Sequence, residues 1–172
     1  TVVASDKFKG MLIGYNALNY RFRQSGIEAA YQNGMGVVVM NPLGGGLIPA
    51  SPENFAYLAE GTDLTVPQAA LRFVASHKEI TVTLAGCTTK ENIDDAVKAV
   101  EGLEERPAKE IVEIYEGKGV ALNNLCTGCA YCTGCPKDIS IPKYMDSYNQ
   151  MILTGDPKQI LERLSGHWGI EK

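Results

Sequence analysis

The sequence predicts an α/β fold, with βα units on a parallel sheet followed by a small, mostly helical module carrying clustered cysteines. Three observations lead there. Short apolar runs rich in β-branched residues alternate with helix-like patterns. Glycine or proline punctuation follows each run. Four of the five cysteines then crowd into residues 126–135.

Met11 to Tyr15 is a short apolar run ending at Asn16, and reads as a buried strand. Gly26 to Asn33 reads as a helix, with Ile27, Ala30 and Tyr31 spaced for one buried face and Gly34 and Gly36 to stop it. Val37-Val38-Val39-Met40 is a continuous run, the pattern of a strand buried on both faces of a parallel sheet. Asn41-Pro42 and Gly44-Gly45-Gly46 break it into a loop.

The next unit repeats the logic. Thr65 and Gln68 form a capping-box pair, and Ala69, Leu71, Phe73 and Val74 follow in a helix to about Ser76. Ile80 to Leu84 alternates branched residues and predicts a third strand. Gly86 ends it, Thr88 and Glu91 form another capping-box pair, and the helix behind them runs to about Glu101, burying Ile93, Val97 and Val100. The charged run Glu101, Glu104, Glu105 and Arg106, closed by Pro107, divides residues 1–104 from a module of residues 105–172. That module opens with a helix from about Ala108 to Glu116. Beyond the cysteines, Pro142 opens a helix through about Leu153, and Asp156-Pro157 starts a last short one.

Bulk properties narrow the function. The 172 residues are 45% hydrophobic and 21% charged, a soluble globular composition. A net charge of −4 and a pI near 5.2 argue against nucleic acid or an anionic membrane surface as partner. No apolar run approaches the roughly 20 residues that span a bilayer, and no secretory signal pattern is visible. Disulfide frameworks spread cysteines along a chain, whereas these are clustered, so the expected compartment is reducing and cytoplasmic.

The cluster reads Cys126-Thr-Gly-Cys129-Ala-Tyr-Cys132-Thr-Gly-Cys135-Pro136. Three-residue steps bring four thiolates around one compact inorganic core, and Gly128 and Gly134 let the backbone fold over it. Structural zinc sites join two cysteine pairs through a longer loop, which fits less well. A single [4Fe–4S] cluster on Cys126, Cys129, Cys132 and Cys135 is the expectation, with zinc and inert or disulfide-linked thiols as the alternatives. Tyr131, between two ligands, is expected to shield the cluster.

Two glycine-rich turns follow predicted strands. They are Asn41 to Gly46, and Gly86-Cys87-Thr88-Thr89-Lys90 leading into a helix. Ligands of parallel sheets bind beyond the carboxyl ends of strands, and helix N-termini favour phosphate. Both turns are candidates for a nucleotide phosphate site; equally, glycines make tight βα connections, and neither turn has a dinucleotide or Walker fingerprint. Cys87 stands just after a predicted strand, where a reactive thiol could sit, and is expected to be a small buried residue. His77 reads as a cation at a helix end, and neither it nor His167 is assigned catalysis.

Together these segments resemble the aldo/keto reductase family, specifically members with a C-terminal ferredoxin-like extension. The matching stretches are Leu12-Ile-Gly-Tyr-Asn16, Gly36-Val-Val-Val-Met-Asn-Pro-Leu-Gly-Gly-Gly46, Ala70-Leu-Arg-Phe-Val74, Val82-Thr-Leu-Ala-Gly86, Asn92 with Asp95, and Cys126 to Pro142. The resemblance implies the last three βα units of a TIM barrel, a partial barrel followed by the iron–sulfur module. The family's catalytic Asp, Tyr, Lys and His belong to earlier units, so it implies no catalytic residue in this chain. It places Asn41, Pro42, Leu43, Gly44 and Gly45 along the pyrophosphate of NADP or NAD, and Gly86, Cys87, Thr88 and Asn92 near the adenosine end. Met40 stands where many members carry an aromatic residue, and Leu12 where a glutamine is common.

The expected function is that of the C-terminal portion of an NAD(P)H-dependent carbonyl reductase whose cluster relays electrons or stabilises the fold. The alternatives are an electron-transfer iron–sulfur protein using the partial barrel as scaffold, and a zinc-stapled structural module. Three parallel strands cannot close a barrel, so the expected partners are the missing N-terminal half-barrel or a second copy of the chain, with an electron-transfer partner beside them.

Overall fold

A computed structural model describes residues 3–118, 125–126 and 132–170. The chain divides into two compact units, Thr1–Val120 and Ala121–Lys172. Among the described residues no helix is long and apolar enough to cross a membrane.

The first unit is built on a three-stranded parallel sheet. Its strands are β1 (Gly10–Gly14), β2 (Gly36–Met40) and β3 (Val82–Thr83), in the order β1-β2-β3. Helix α1 (Tyr20–Gln32) links β1 to β2. Helix α2 (Leu47–Ala50), a 3₁₀ stretch (Pro52–Leu58) and α3 (Val66–Ala75) link β2 to β3, and α4 (Lys90–Val100) and α5 (Ala108–Tyr115) follow. Crossovers between parallel neighbours are right-handed, so two successive steps in one direction put α1 and α3 on the same side of the sheet.

That side is dry, with Val37 and Val39 fully buried. The other side is apolar and open. Leu12, Val38 and Val82 are register partners across the three strands. Leu12 is 58% exposed, Met40 46% and Val82 43%. The two-sided burial expected for Val37 to Met40 is therefore corrected to one-sided burial. A run of branched residues looks the same in both cases, because periodicity does not report what covers a face. The third strand is also shorter than the predicted Ile80 to Leu84.

Helix α1 begins six residues before its predicted start, and its face holds Tyr20, Ile27 and Ala30 while Tyr31 stays exposed. Two buried asparagines shape the turn that leads into it. The Asn16 backbone N–H donates to Asn19 Oδ1 at 3.0 Å, and the Leu18 N–H donates to Asn16 Oδ1 at 2.9 Å. Helix α3 carries the predicted Thr65–Gln68 capping box. Helix α4 is capped one residue later than expected, by Thr89 and Asn92 in place of Thr88 and Glu91. Ile93, Val97 and Val100 are exposed, not buried, and α4 seats on α3 through Ala99 and polar contacts. Gln68 Nε2 donates to Asp95 Oδ1 at 2.7 Å, and Arg72 Nε donates to the Ala99 carbonyl at 2.7 Å.

Phe73 of α3 sits at the centre of an aromatic cluster. Ring centroids of Tyr20, His77 and Tyr115 lie 5.5, 5.2 and 5.3 Å from it, and Tyr15 stacks at 6.1 Å. His77 is fully buried. Its Nδ1 meets the Phe73 carbonyl at 2.8 Å, which puts the proton there and leaves Nε2 to accept from the Tyr15 hydroxyl at 2.9 Å. Burial drives its pKa down to about 4 against weaker opposing backbone hydrogen bonds. The expectation of a helix-end cation is thereby corrected, since a core this dry holds imidazole neutral.

Tyr115 belongs to α5, so that helix is part of the first unit and the division falls after it, not near residue 105. Ala108 and Ile111 are buried. Glu79 Oε2 accepts the Ala108 N–H at 2.9 Å, and the Arg106 N–H donates to the Ser76 carbonyl at 2.7 Å. Glu79 thus caps α5 from outside the helix. Replacing Glu79 by alanine strands a buried N–H and removes a carboxylate from the α5 N-terminus. A stability loss of about 1–2 kcal/mol is expected by urea denaturation; an unchanged midpoint would show the cap to be idle.

The second unit contains α6 (Ile141–Thr154), α7 (Lys158–Glu162) and a π turn (Arg163–His167). Gly155 closes α6 at φ 69°, a left-handed conformation that glycine adopts without a Cβ penalty. Asp156 Oδ1 accepts the Lys158 N–H at 3.0 Å, but α7 begins at Lys158 with Pro157 as its N-cap, one residue later than expected. The Asp146 carboxylate draws the end of the chain onto α6, accepting from Arg163 Nε and Trp168 Nε1 at 2.8 Å each. Among the described residues of this unit, the buried apolar side chains are Leu153 and Leu164.

Candidate metal and nucleotide sites

Cys126, Cys132 and Cys135 are free, half-buried thiols. Cys129 and Tyr131 lie outside the described residues. Between Cys132 and α6 the chain turns sharply, with Gly134 at φ 82° and Asp138 at φ 54°. The Asp138 N–H donates to the Cys135 carbonyl at 2.9 Å and closes that turn. Among the described residues no three His, Cys, Asp or Glu side chains form a metal-ligand group. The donor chemistry itself fits a thiophilic centre, since free, half-buried sulfurs suit iron–sulfur clusters or zinc and do not suit magnesium or calcium.

One contact in this segment has no sequence signature. The Cys126 N–H donates to Asn149 Oδ1 at 2.8 Å, and Asn149 Nδ2 donates to the Cys126 carbonyl at 2.7 Å. Asn149 is on α6, 23 residues away in sequence.

The two glycine-rich turns leave the same end of the sheet, because β2 and β3 are parallel neighbours. After β2 the chain enters left-handed space at Asn41 (φ 61°), leaves it at Leu43 (φ −98°) and returns to it at Gly44, Gly45 and Gly46. Pro42 and Gly44 are buried, Leu43 is half-buried, and Asn41 and Gly45 are exposed. A Cβ on Gly44 would come within 2.7 Å of Leu18 Cδ1, so this glycine answers to packing as well as to φ. Buried Asn16 donates from Nδ2 to the Asn41 carbonyl at 2.8 Å and holds the loop at its root.

Gly86, Cys87 and Thr88 are exposed, which corrects the expectation of a buried Cys87. Asn92 turns inward on the same loop. Its Oδ1 accepts from the Thr88 N–H at 3.1 Å, the Thr88 hydroxyl at 3.2 Å and the Thr89 N–H at 3.2 Å. Asn92 therefore spends its carbonyl oxygen on shaping the loop. Glu91, in the first turn of α4, has its carboxyl held below the usual range, first by its backbone N–H and then by Thr89. A cavity of about 280 Å³ in this unit is lined by residues including Arg72, Phe73, Arg106 and Tyr115. It does not include any of the predicted nucleotide-binding residues.

No family model matches the chain, and no curated protein matches it.

Proposed function

We propose that this chain is the C-terminal portion of an aldo/keto reductase-type oxidoreductase and carries one [4Fe–4S] cluster on Cys126, Cys129, Cys132 and Cys135. The observation that carries the cluster assignment is the mismatch between the second unit's size and its core. Ala121–Lys172 buries two leucines among its described residues, while four cysteines occupy one ten-residue window. Two buried leucines among the described residues favour a staple for this unit, and thiolates binding a metal centre contribute folding energy directly.

The partial-barrel reading is supported by the shape of the sheet. Doubly wound sheets carry helices on both faces, whereas barrel units keep helices on one side and fill the other with layered apolar side chains. Sequential parallel order, the meeting of α1 and α3 through Tyr20 and Phe73, and a face with Leu12, Met40 and Val82 exposed and Val38 half-buried agree with the barrel arrangement. On this reading the open face is where the rest of a barrel, or a second copy of the chain, packs.

In the intact parent the activity would be NAD(P)H-dependent reduction of a carbonyl, with Asn41 to Gly45 along the pyrophosphate and Gly86, Cys87 and Thr88 near adenosine. Asn16 and Asn92 hold those two loops. No residue of this chain is assigned to catalysis. When bound, the cluster supplies single-electron transfer; the four cysteines hold it.

The test is iron, acid-labile sulfide and zinc per chain on anaerobically purified protein. About four iron and four sulfide are expected. One zinc without sulfide would turn the second unit into a structural clip and sink the electron-transfer role. Sedimentation of the same sample addresses the open face, and a clean monomer at high concentration would argue against a partner there.

A further inference from the structure

We propose that Asn149 is a positioning residue for the metal centre, fixing the backbone of Cys126 through both ends of its carboxamide. This rests on the iron–sulfur reading above and adds to it a residue that the cysteine motif does not contain. Asn149 lies in the interior of α6 and is 3% exposed. Asparagine is a poor helix former, and a buried carboxamide costs free energy unless its groups are paired. Both ends are paired here, at 2.8 and 2.7 Å, and to the same residue. The Oδ1 takes the Cys126 N–H and the Nδ2 serves the Cys126 carbonyl, the way a neighbouring strand would. Flipping the amide would set donor against donor, so the pair admits one orientation.

Two consequences follow for the first of the four cysteines. Its backbone is held before any metal arrives, so less conformational freedom is lost when the thiolate binds. Its N–H is also occupied by Asn149 and cannot donate to a cluster sulfur. Hydrogen bonds to the sulfurs, local charge and solvent access are what set the potential of such centres. Asn149 therefore acts on retention and on potential together.

The experiment compares Asn149→Ala, Asn149→Asp and Ser147→Ala with the wild-type chain, purified anaerobically. Ser147 is the packing control. It is buried on the same helix, and its hydroxyl bonds the Lys143 carbonyl. Asn149→Ala should release iron to a chelator about 10-fold faster or more. Its midpoint potential should rise, because a freed N–H and better water access stabilise the reduced, more negative centre. Asn149→Asp keeps an acceptor for the Cys126 N–H and adds negative charge, so its potential should fall. Ser147→Ala should match wild type in both readouts. Opposite shifts from the two Asn149 variants support the assignment, and wild-type release rate and potential in Asn149→Ala overturn it. Should Asn149→Ala fail to fold by circular dichroism, the sign of the Asn149→Asp shift decides. A wild-type chain without iron and sulfide defeats the underlying reading and this inference with it. That outcome is told apart by the wild-type sample alone.

Discussion

Simultaneous replacement of Cys132 and Cys135 by serine is expected to take bound iron and sulfide from about four of each per chain to trace levels. A serine hydroxyl stays protonated at neutral pH and is a harder donor than a thiolate, so two such changes leave two sulfurs for a centre that needs four. The structural effect should be as large as the compositional one. Leu153 and Leu164 are the buried apolar residues described in the second unit, and polar ties add to them: Asp146 to Arg163 and Trp168, and Asn149 to Cys126. Without a metal centre those ties do not offset the conformational entropy of the roughly forty residues described in this unit. The helical signal of α6 should fall in parallel with iron content while the first unit keeps its own transition. Cys87→Ser is the matched control. Cys87 is exposed in the first unit, outside the ten-residue window, and its replacement should leave iron and sulfide at wild-type levels. A double variant that still holds a full complement of iron and sulfide would refute the four-cysteine assignment.

Sequence reasoning succeeded where a feature is local. The Thr65–Gln68 capping box, the glycine-rich loop that ends β2 and the opening of α6 at Pro142 all depend on residues within a few positions of one another. The failures concern what lies opposite a face. The sequence shows that Ile93, Val97 and Val100 share one side of α4 and that Leu12, Val38 and Val82 are apolar. Periodicity carries no information about whether a neighbour covers them, and in this structure all but the half-buried Val38 are exposed. The α4 cap was missed by one residue because two overlapping patterns compete, Thr88 with Glu91 and Thr89 with Asn92. The second wins by pairing Asn92 with both preceding N–H groups. The start of α1 gave no signal, since Asn19 makes no side-chain cap to the helix.

The candidate site divides along the same line. Cysteine spacing is a property of ten adjacent residues and reads directly. Asn149 is 23 residues from Cys126, inside a helix where an asparagine ordinarily signals nothing more than a polar face. Asn16 reaches the Asn41 carbonyl across 25 residues, and Tyr15 meets His77 across 62. The last two pairs are created by the parallel crossover topology of the first unit, and all three are specified only through the finished fold.

The Tyr15–His77 pair leads to the second large effect, a loss of stability in mild acid. The folded-state pKa of His77 is about 4, against an ordinary value of 6.5, with burial as the largest cause. A histidine depressed in this way contributes stability that is fully present above pH 6.5. As pH falls below that value the unfolded chain takes up a proton that the folded core refuses, so stability is lost progressively until pH reaches about 4. The whole loss is on the order of 3 kcal/mol, a large fraction of the stability of an ordinary domain. The local geometry explains why relaxation does not offset it. His77 Nδ1–H is committed to the Phe73 carbonyl and Nε2 accepts from Tyr15. A second ring proton would face a hydroxyl whose own proton already points at it, with Phe73 packed against the ring. Denaturation of wild type and of His77→Gln at pH 7 and pH 4 isolates the term, because the carboxylates titrate alike in both. The variant should lose about 3 kcal/mol less than wild type across that interval, whatever its stability at pH 7. Equal losses in the two proteins would mean that imidazolium is accommodated in the fold and that the Tyr15–His77 contact does not hold the ring neutral.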